Sequence, residues 1–245
     1  MGPMSTNPVR QTCSHPHHCS EDVRLRVMAR SPLTRDLSPE QRRELDTHLR
    51  ALSWAEGDPL MLAGDTPGGV HLIMSGRVRV TRDTIEGDEI TVDIAAPGDV
   101  LGPLDTVPVP VVDSAWAMET TCALFLRAET LGQVVSEFPP LAMALLRLQQ
   151  ERLAAGRDRE VAQTTRTVEQ RVAGVLLQLA TRLGQVRPDG SVLLQVRLRR
   201  DDIAGMASTT VESASRAMAK MKRNGLIDSG REWVVLLDAA GLADL

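Results

Sequence analysis

The chain has 245 residues, 42% of them hydrophobic, with three cysteines and a formal net charge of −4. That length holds two small domains or one large one, and the apolar content supplies a core. No stretch nears the roughly 20 apolar residues of a spanning helix, and the opening Met1-Gly-Pro-Met-Ser-Thr-Asn lacks a signal peptide's apolar run. A cytoplasmic protein of two domains, with no membrane partner, is expected. The negative sum excludes a general nucleic-acid coat but hides a basic patch, because residues 196–232 carry eight Lys/Arg against five Asp/Glu. An odd count of three cysteines argues against a disulfide framework and favours metal or redox chemistry.

Residues 1–22 hold Pro3, Pro8, Pro16 and the run Cys13-Ser-His-Pro-His-His-Cys19, without apolar periodicity, and read as a loop. Residues 23–50 contain a short helix, with Ser38 as N-cap ahead of Pro39-Glu40-Gln41, and Leu45 and Leu49 on one face. From about 52 to 128 the chain breaks into short β-prone runs at glycine turns such as Ser75-Gly76 and Pro97-Gly98-Asp99. That spacing predicts an antiparallel barrel or sandwich. Val70, Leu72 and Met74, then Val78 and Val80, then Ile90, Val92 and Ile94 alternate like strands with one buried face.

Pro139-Pro140 opens a helix to about residue 163, with Leu141, Leu145 and Leu148 in a stripe and Leu146 and Leu153 beside it. The stripe suits packing on a partner helix, and equally suits a helix covering its own barrel. Gly156 weakens the later turns. A helix over 168–184 and a strand over 192–198 follow. Residues 201–208 form a short helix and turn, after which Ser208 caps a helix from Thr209 to Asn224-Gly225. Val211, Ala214, Met218 and Met221 make its inward face, while Glu212, Ser215 and Arg216 share another face. An arginine fork matches guanine O6 and N7, a glutamate accepts from cytosine N4, and a serine serves either sense. Lys220, Lys222 and Arg223 suit phosphates, which position without specifying. The competing reading is an ordinary i,i+4 Glu–Arg pair on a solvated helix. Leu226-Ile227 and Trp233–Leu237, joined through Ser229-Gly230-Arg231-Glu232, supply a wing.

Arg200-Asp-Asp-Ile-Ala-Gly-Met-Ala-Ser-Thr-Thr-Val-Glu-Ser-Ala-Ser-Arg216 with Lys222-Arg-Asn-Gly-Leu-Ile227 resembles the helix-turn-helix of the CRP/FNR superfamily. The likeness extends through Ser75-Gly76, Pro97-Gly98-Asp99-Val-Leu-Gly102, Ala117-Met-Glu-Thr120 and Phe138-Pro139, covering about residues 30–245. Val211-Glu212-Ser213-Ala214-Ser215-Arg216 is similar to the V-E-x-x-S-R of the FNR branch; the cAMP-receptor branch has arginine where Val211 stands. The resemblance implies an α+β chain. A Cys/His-rich segment (1–22) would precede an N-terminal antiparallel β-roll of cyclic-nucleotide-binding-like form as sensor domain (23–138). A long dimerisation helix (139–163) and a C-terminal winged helix-turn-helix (164–245) would follow. It implies a homodimeric transcription regulator on a palindromic TTGAT-N4-ATCAA-like duplex, with RNA polymerase as partner and with Ser208, Thr209, Thr210, Val211, Glu212, Ser215, Arg216, Lys220 and Lys222 at the DNA.

The resemblance also bears on the signal. The cAMP branch meets the cyclic phosphate with an Arg-Ser/Thr-Ala run, and Asp113-Ser114-Ala115 replaces it here, so cyclic AMP is not expected. The FNR branch holds an iron-sulfur cluster on three N-terminal cysteines and one in the barrel. Cys13 and Cys19 match two of these with their five-residue gap, and Cys122 the barrel ligand. One N-terminal cysteine is missing, and Cys122 stands two residues early, which preserves its strand face. His15, His17 or His18 would be the fourth ligand. Zinc, haem, a thiol switch of Cys13 with Cys19, and a buried Cys122 that only packs remain open. No enzyme is expected: a Cys–His pair drawn from Cys13 or Cys19 with His17 sits in a proline-rich tail unable to hold reacting geometry. The other class left open is a ligand-binding or interaction β-barrel without DNA binding.

Overall fold

The computed structural model describes residues 19–245. These form two compact units, the first ending at Thr165 and the second beginning at Arg166. Among the described residues no helix is long and apolar enough to cross a membrane.

The first unit opens with α1 (Glu21–Arg30) and α2 (Pro39–Thr47). Ser38 caps α2 as the sequence predicts: its Oγ accepts from Gln41 N at 3.1 Å, and Gln41 Oε1 accepts from Ser38 N at 2.9 Å. Nothing in the sequence announces α1, which starts inside the expected loop. Its charged sequence carries no continuous apolar stripe, and tertiary contacts hold it instead. Met28 is fully buried, and the Arg24 guanidinium forks onto Asp46 at 2.8 and 2.6 Å.

Eight strands follow: β1 (Arg50–Trp54), β2 (Pro59–Met61), β3 (Gly69–Ser75), β4 (Val78–Asp83), β5 (Glu89–Ala95), β6 (Val100–Leu101), β7 (Ser114–Ala117) and β8 (Thr121–Arg127). They pair antiparallel in two four-stranded sheets, ordered β1-β8-β3-β6 and β2-β7-β4-β5. Gly76 makes the β3–β4 turn at φ +82°, where an added Cβ would stand 2.4 Å from Thr121 Oγ1. β3 and β5 are among the strands that depart from simple alternation. β3 is buried on both faces: Val70, Leu72 and Met74 pack toward the helices while Ile73 packs between the sheets. In β5 the pairing jumps from Val80–Asp93 to Thr81–Thr91, a bulge at Val92. The slip buries Thr91 and leaves Ile90 at the surface, against the expected Ile90-Val92-Ile94 face.

α3 (Ala128–Glu137), also unannounced, sends Leu131 and Val134 inward, with Phe138 buried just after it. α4 (Pro139–Thr165) runs unbroken through Gly156. The reading as a helix covering its own barrel holds for one face of α4, and a second face is left exposed. Leu141, Leu145 and Leu148 pack on the unit's own core, whereas Met143, Leu146, Leu153 and Val161 are exposed.

The second unit contains α5 (Val168–Leu183), β9 (Gln185–Val186), β10 (Val192–Leu194), α6 (Arg200–Met206), α7 (Val211–Arg223), β11 (Ile227–Ser229), β12 (Val234–Leu236) and α8 (Ala239–Ala243). The sheet order is β11-β12-β10-β9, so the wing hairpin is the edge of a four-stranded sheet. The strand expected over 192–198 stops at Leu194. Gly225, at φ +71°, lets Leu226 N reach Met221 O at 3.0 Å and Gly225 N reach Lys222 O at 3.1 Å, closing α7.

Candidate nucleic-acid interface and sensor core

α6 and α7 are joined by a turn in which Ser208 takes φ +50°, a left-handed conformation uncommon outside glycine. Ser208 is therefore in the turn and does not cap α7. Thr210 does, its Oγ1 accepting from Ser213 N at 3.2 Å. The correction follows from local geometry, since an N-cap needs extended φ/ψ, which Thr210 has at φ −77° and ψ 152°. Thr210→Ala should cost the second unit about 1 kcal/mol, read as a lower urea midpoint.

The buried face of α7 is Ala214, Ala217, Met218 and Met221. Val211 is not part of it: as the first residue of the helix it is 45% exposed, beside Glu212. Glu212 and Arg216 are exposed and Ser215 half-buried. Arg216 Nη1 donates to Glu212 Oε1 at 2.6 Å and its Nη2 to Ser213 Oγ at 3.2 Å. The i,i+4 pair weighed from the sequence thus forms in the free protein. Lys220 Nζ meets Glu169 Oε2 at 2.6 Å, and Lys222 Nζ meets Asp228 Oδ1 at 2.6 Å. Lys222 holds the Asp228 carboxyl below its usual range. The solvent-facing Arg216–Glu212 and Lys222–Asp228 pairs are each worth at most about 1 kcal/mol.

Sequence reasoning missed two residues here. Arg171 donates from Nε to Ala207 O at 2.9 Å and from Nη2 to Ser208 O at 3.3 Å, holding the turn between α6 and α7. Glu169 tethers Lys220. Neither shows in a linear pattern, because the partners lie 36 and 51 residues away. Arg171→Ala should lower the second unit's stability by about 1–3 kcal/mol in a denaturant melt, as expected for charge-assisted bonds to backbone.

In the first unit Cys122 lies on β8, opposite Ser53 of β1 and Ser75 of β3. Cys19 is also buried, its carbonyl accepting from Arg24 Nη1 at 2.8 Å. Neither forms a disulfide among the described residues, and both belong to the core between the sheet and the helices. Cys13, His15, His17 and His18 lie outside the described residues. Among the described residues no three Cys, His, Asp or Glu side chains gather as a metal cluster would require.

A separate cleft of about 610 Å³ opens beside β4, β5 and β7, lined in part by Arg82, Asp93, Asp113, Arg152 and Arg159. Asp113 does not stand alone there: Arg82 grips it through Nε at 2.7 Å and Nη2 at 3.1 Å. Arg152 and Arg159, from α4, donate to the carbonyls of Val100 and Val92. Met61 is among the residues that line this cleft, and no cysteine or histidine is.

Comparison with known proteins agrees with this architecture. Residues 51–138 match the family described as the cyclic nucleotide-binding domain, and residues 170–245 the Crp-like helix-turn-helix domain. The chain is 27% identical over 192 residues to the transcriptional activator protein anr of Pseudomonas aeruginosa, covering 78% of each. It is 28% identical over 222 residues to the cyclic AMP receptor protein of Thermus thermophilus, covering 89% of this chain and 98% of that one. A solved CRP-family transcriptional regulator, also from Thermus thermophilus, superposes with a TM-score of 0.64 at 26% identity, covering 79% of this chain and 96% of that one. These relatives are regulators and not enzymes. The chain belongs to the CRP/FNR family: it is a DNA-binding transcriptional regulator with a cyclic-nucleotide-binding-type β domain and a Crp-like helix-turn-helix.

Proposed function

We propose that the protein acts as a homodimer on a palindromic site of the TTGAT-N4-ATCAA kind, and senses oxygen or nitric oxide through an iron-sulfur cluster. The observation that carries the first part is the solvent-facing start of α7, where Val211, Glu212, Ser215 and Arg216 stand clear of the packed face. Arg216 reads guanine, Glu212 accepts from cytosine N4, Ser215 takes either sense, and Val211 meets a thymine methyl. Ser208, Thr209 and Thr210 lie at the amino end of the helix, where hydroxyls and backbone N–H groups receive phosphate. Lys220 and Lys222 exchange their carboxylates for phosphates. The exposed Met143, Leu146, Leu153 and Val161 of α4 supply an apolar face for a second copy. RNA polymerase is the protein partner this reading implies.

Support for the sensing part is that Cys19 and Cys122, 103 positions apart in the chain, enter one core without a disulfide. With Cys13 and one of His15, His17 or His18 they would hold the cluster, which when bound supplies the reaction with oxygen or nitric oxide. This chain's own residues do the rest: β8 fixes Cys122, and the Arg24 grip on the Cys19 carbonyl fixes Cys19. Cyclic AMP is not part of this reading, because the Asp113 carboxylate, held beside β4 by Arg82, would repel a cyclic phosphate.

Fluorescence anisotropy tests the DNA part. The palindromic duplex should bind far more tightly than a scrambled one, with affinity falling steeply as salt rises. Equal affinity for both duplexes refutes sequence-specific reading. Anaerobic reconstitution tests the sensor: wild type should gain visible charge-transfer absorbance, and the triple Cys13, Cys19, Cys122→Ala variant none. Colourless wild-type protein refutes the cluster, and stoichiometric zinc in its place identifies the alternative metal.

A further inference from the structure

The core beneath the helices of the first unit does not close completely. Among Leu33, Leu45, Leu72, Leu126, Leu131 and Leu141 it leaves a cavity of about 50 Å³. Its lining is aliphatic apart from Thr34, whose hydroxyl is spent on the Met28 carbonyl. A water needs about 10–15 Å³ on this measure, together with two to four polar partners. The space is therefore ample for a small molecule yet offers water nothing to bond. Cavities lined in this way stay dry and take up apolar solutes such as xenon.

The position matters as much as the chemistry. Leu72, Leu124 and Leu126 line the cavity and pack in the core that also holds the thiols of Cys19 and Cys122. Ions and polar metabolites find no partner in the cavity, and drug-sized apolar ligands need several times its volume. We infer that it is a docking site for an apolar diatomic gas, dioxygen or nitric oxide, held in the side-chain layer that carries Cys19 and Cys122. Its biological meaning rests on the sensing role above, but uptake of gas depends only on the cavity.

Both gases are paramagnetic, so the test is methyl relaxation in the full-length, metal-free protein under dissolved dioxygen and, separately, nitric oxide. The methyls of Leu72, Leu126 and Leu131 should relax several-fold faster relative to those of Leu176 and Leu194, which are as deeply buried in the second unit. Xenon should compete the enhancement away in wild type. Filling the cavity from its half-buried side with Leu104→Trp should do the same. Enhancement by one gas alone supports the site and identifies its occupant. Equal enhancement of the two sets of methyls, or indifference to xenon, overturns it. Gas uptake without cluster absorbance on reconstitution would leave this site standing and refute the cluster. The reverse pattern would refute the gas site alone.

Discussion

Acidifying the protein from about pH 6.5 to about pH 4 should remove about 3 kcal/mol of the first unit's stability through one residue, His71. His71 lies on β3 at 4% exposure, with the Trp54 ring centroid at 5.5 Å, the Phe125 ring at 4.9 Å, and no hydrogen-bond partner on Nδ1. Burial disfavours the charged imidazole and lowers its pKa from 6.5 to about 4. The sign follows from proton uptake. Between those two values the unfolded chain binds a proton that the folded one refuses, so the stabilisation is complete above about 6.5 and is lost as pH falls toward 4. In the second unit the exposed Asp228 carboxyl, held low by Lys222, gives a dependence of the same sign at more acidic pH, below its usual value of 3.8, so the two windows separate. Urea melts across this range should show the slope in wild type and lose it in His71→Leu. Parallel curves would clear His71 of the effect.

Arg216→Ala should cost about 1–3 kcal/mol on the palindromic duplex, roughly fivefold to 150-fold in affinity, and far less on random DNA. The free-state geometry explains why this loss belongs to DNA and not to the fold. Arg216 and Glu212 are 68% and 77% exposed, so their pair contributes only about 0.3–0.5 kcal/mol to the helix, and a urea melt should barely move. Lys222→Ala provides the contrast, weakening all duplexes alike and reducing the salt slope by about one. Equal losses on specific and random DNA from Arg216→Ala would remove it from base reading.

The β region, the long α4 and the helix-turn-helix followed by a wing were legible in the sequence because their signals are local. Glycine turns recur at short intervals, Ser38 caps its own helix, and Gly225 ends α7 with bonds inside five residues. Errors arose where a distant partner overrode the local pattern. The bulge at Val92 reverses the face of β5, and burial of β3 on both sides hides its alternation. Spacing alone places Val211 with the inward residues of α7, but a helix's first residue has few neighbours to cover it. Ser208 and Thr210 are both good capping residues by composition, and only the backbone angle at Ser208 separates them.

By itself the sequence determined the family resemblance, the order of the DNA-reading elements and the residue types that face a groove, since each depends on neighbours within a turn or two. The tertiary structure alone decided which leucines of α4 turn inward, that Asp113 is held by Arg82, that Arg171 fastens the turn, and that Cys19 and Cys122 enter one core. Those facts belong to pairs separated by tens of residues, and chain reversal, not local propensity, brings such pairs together.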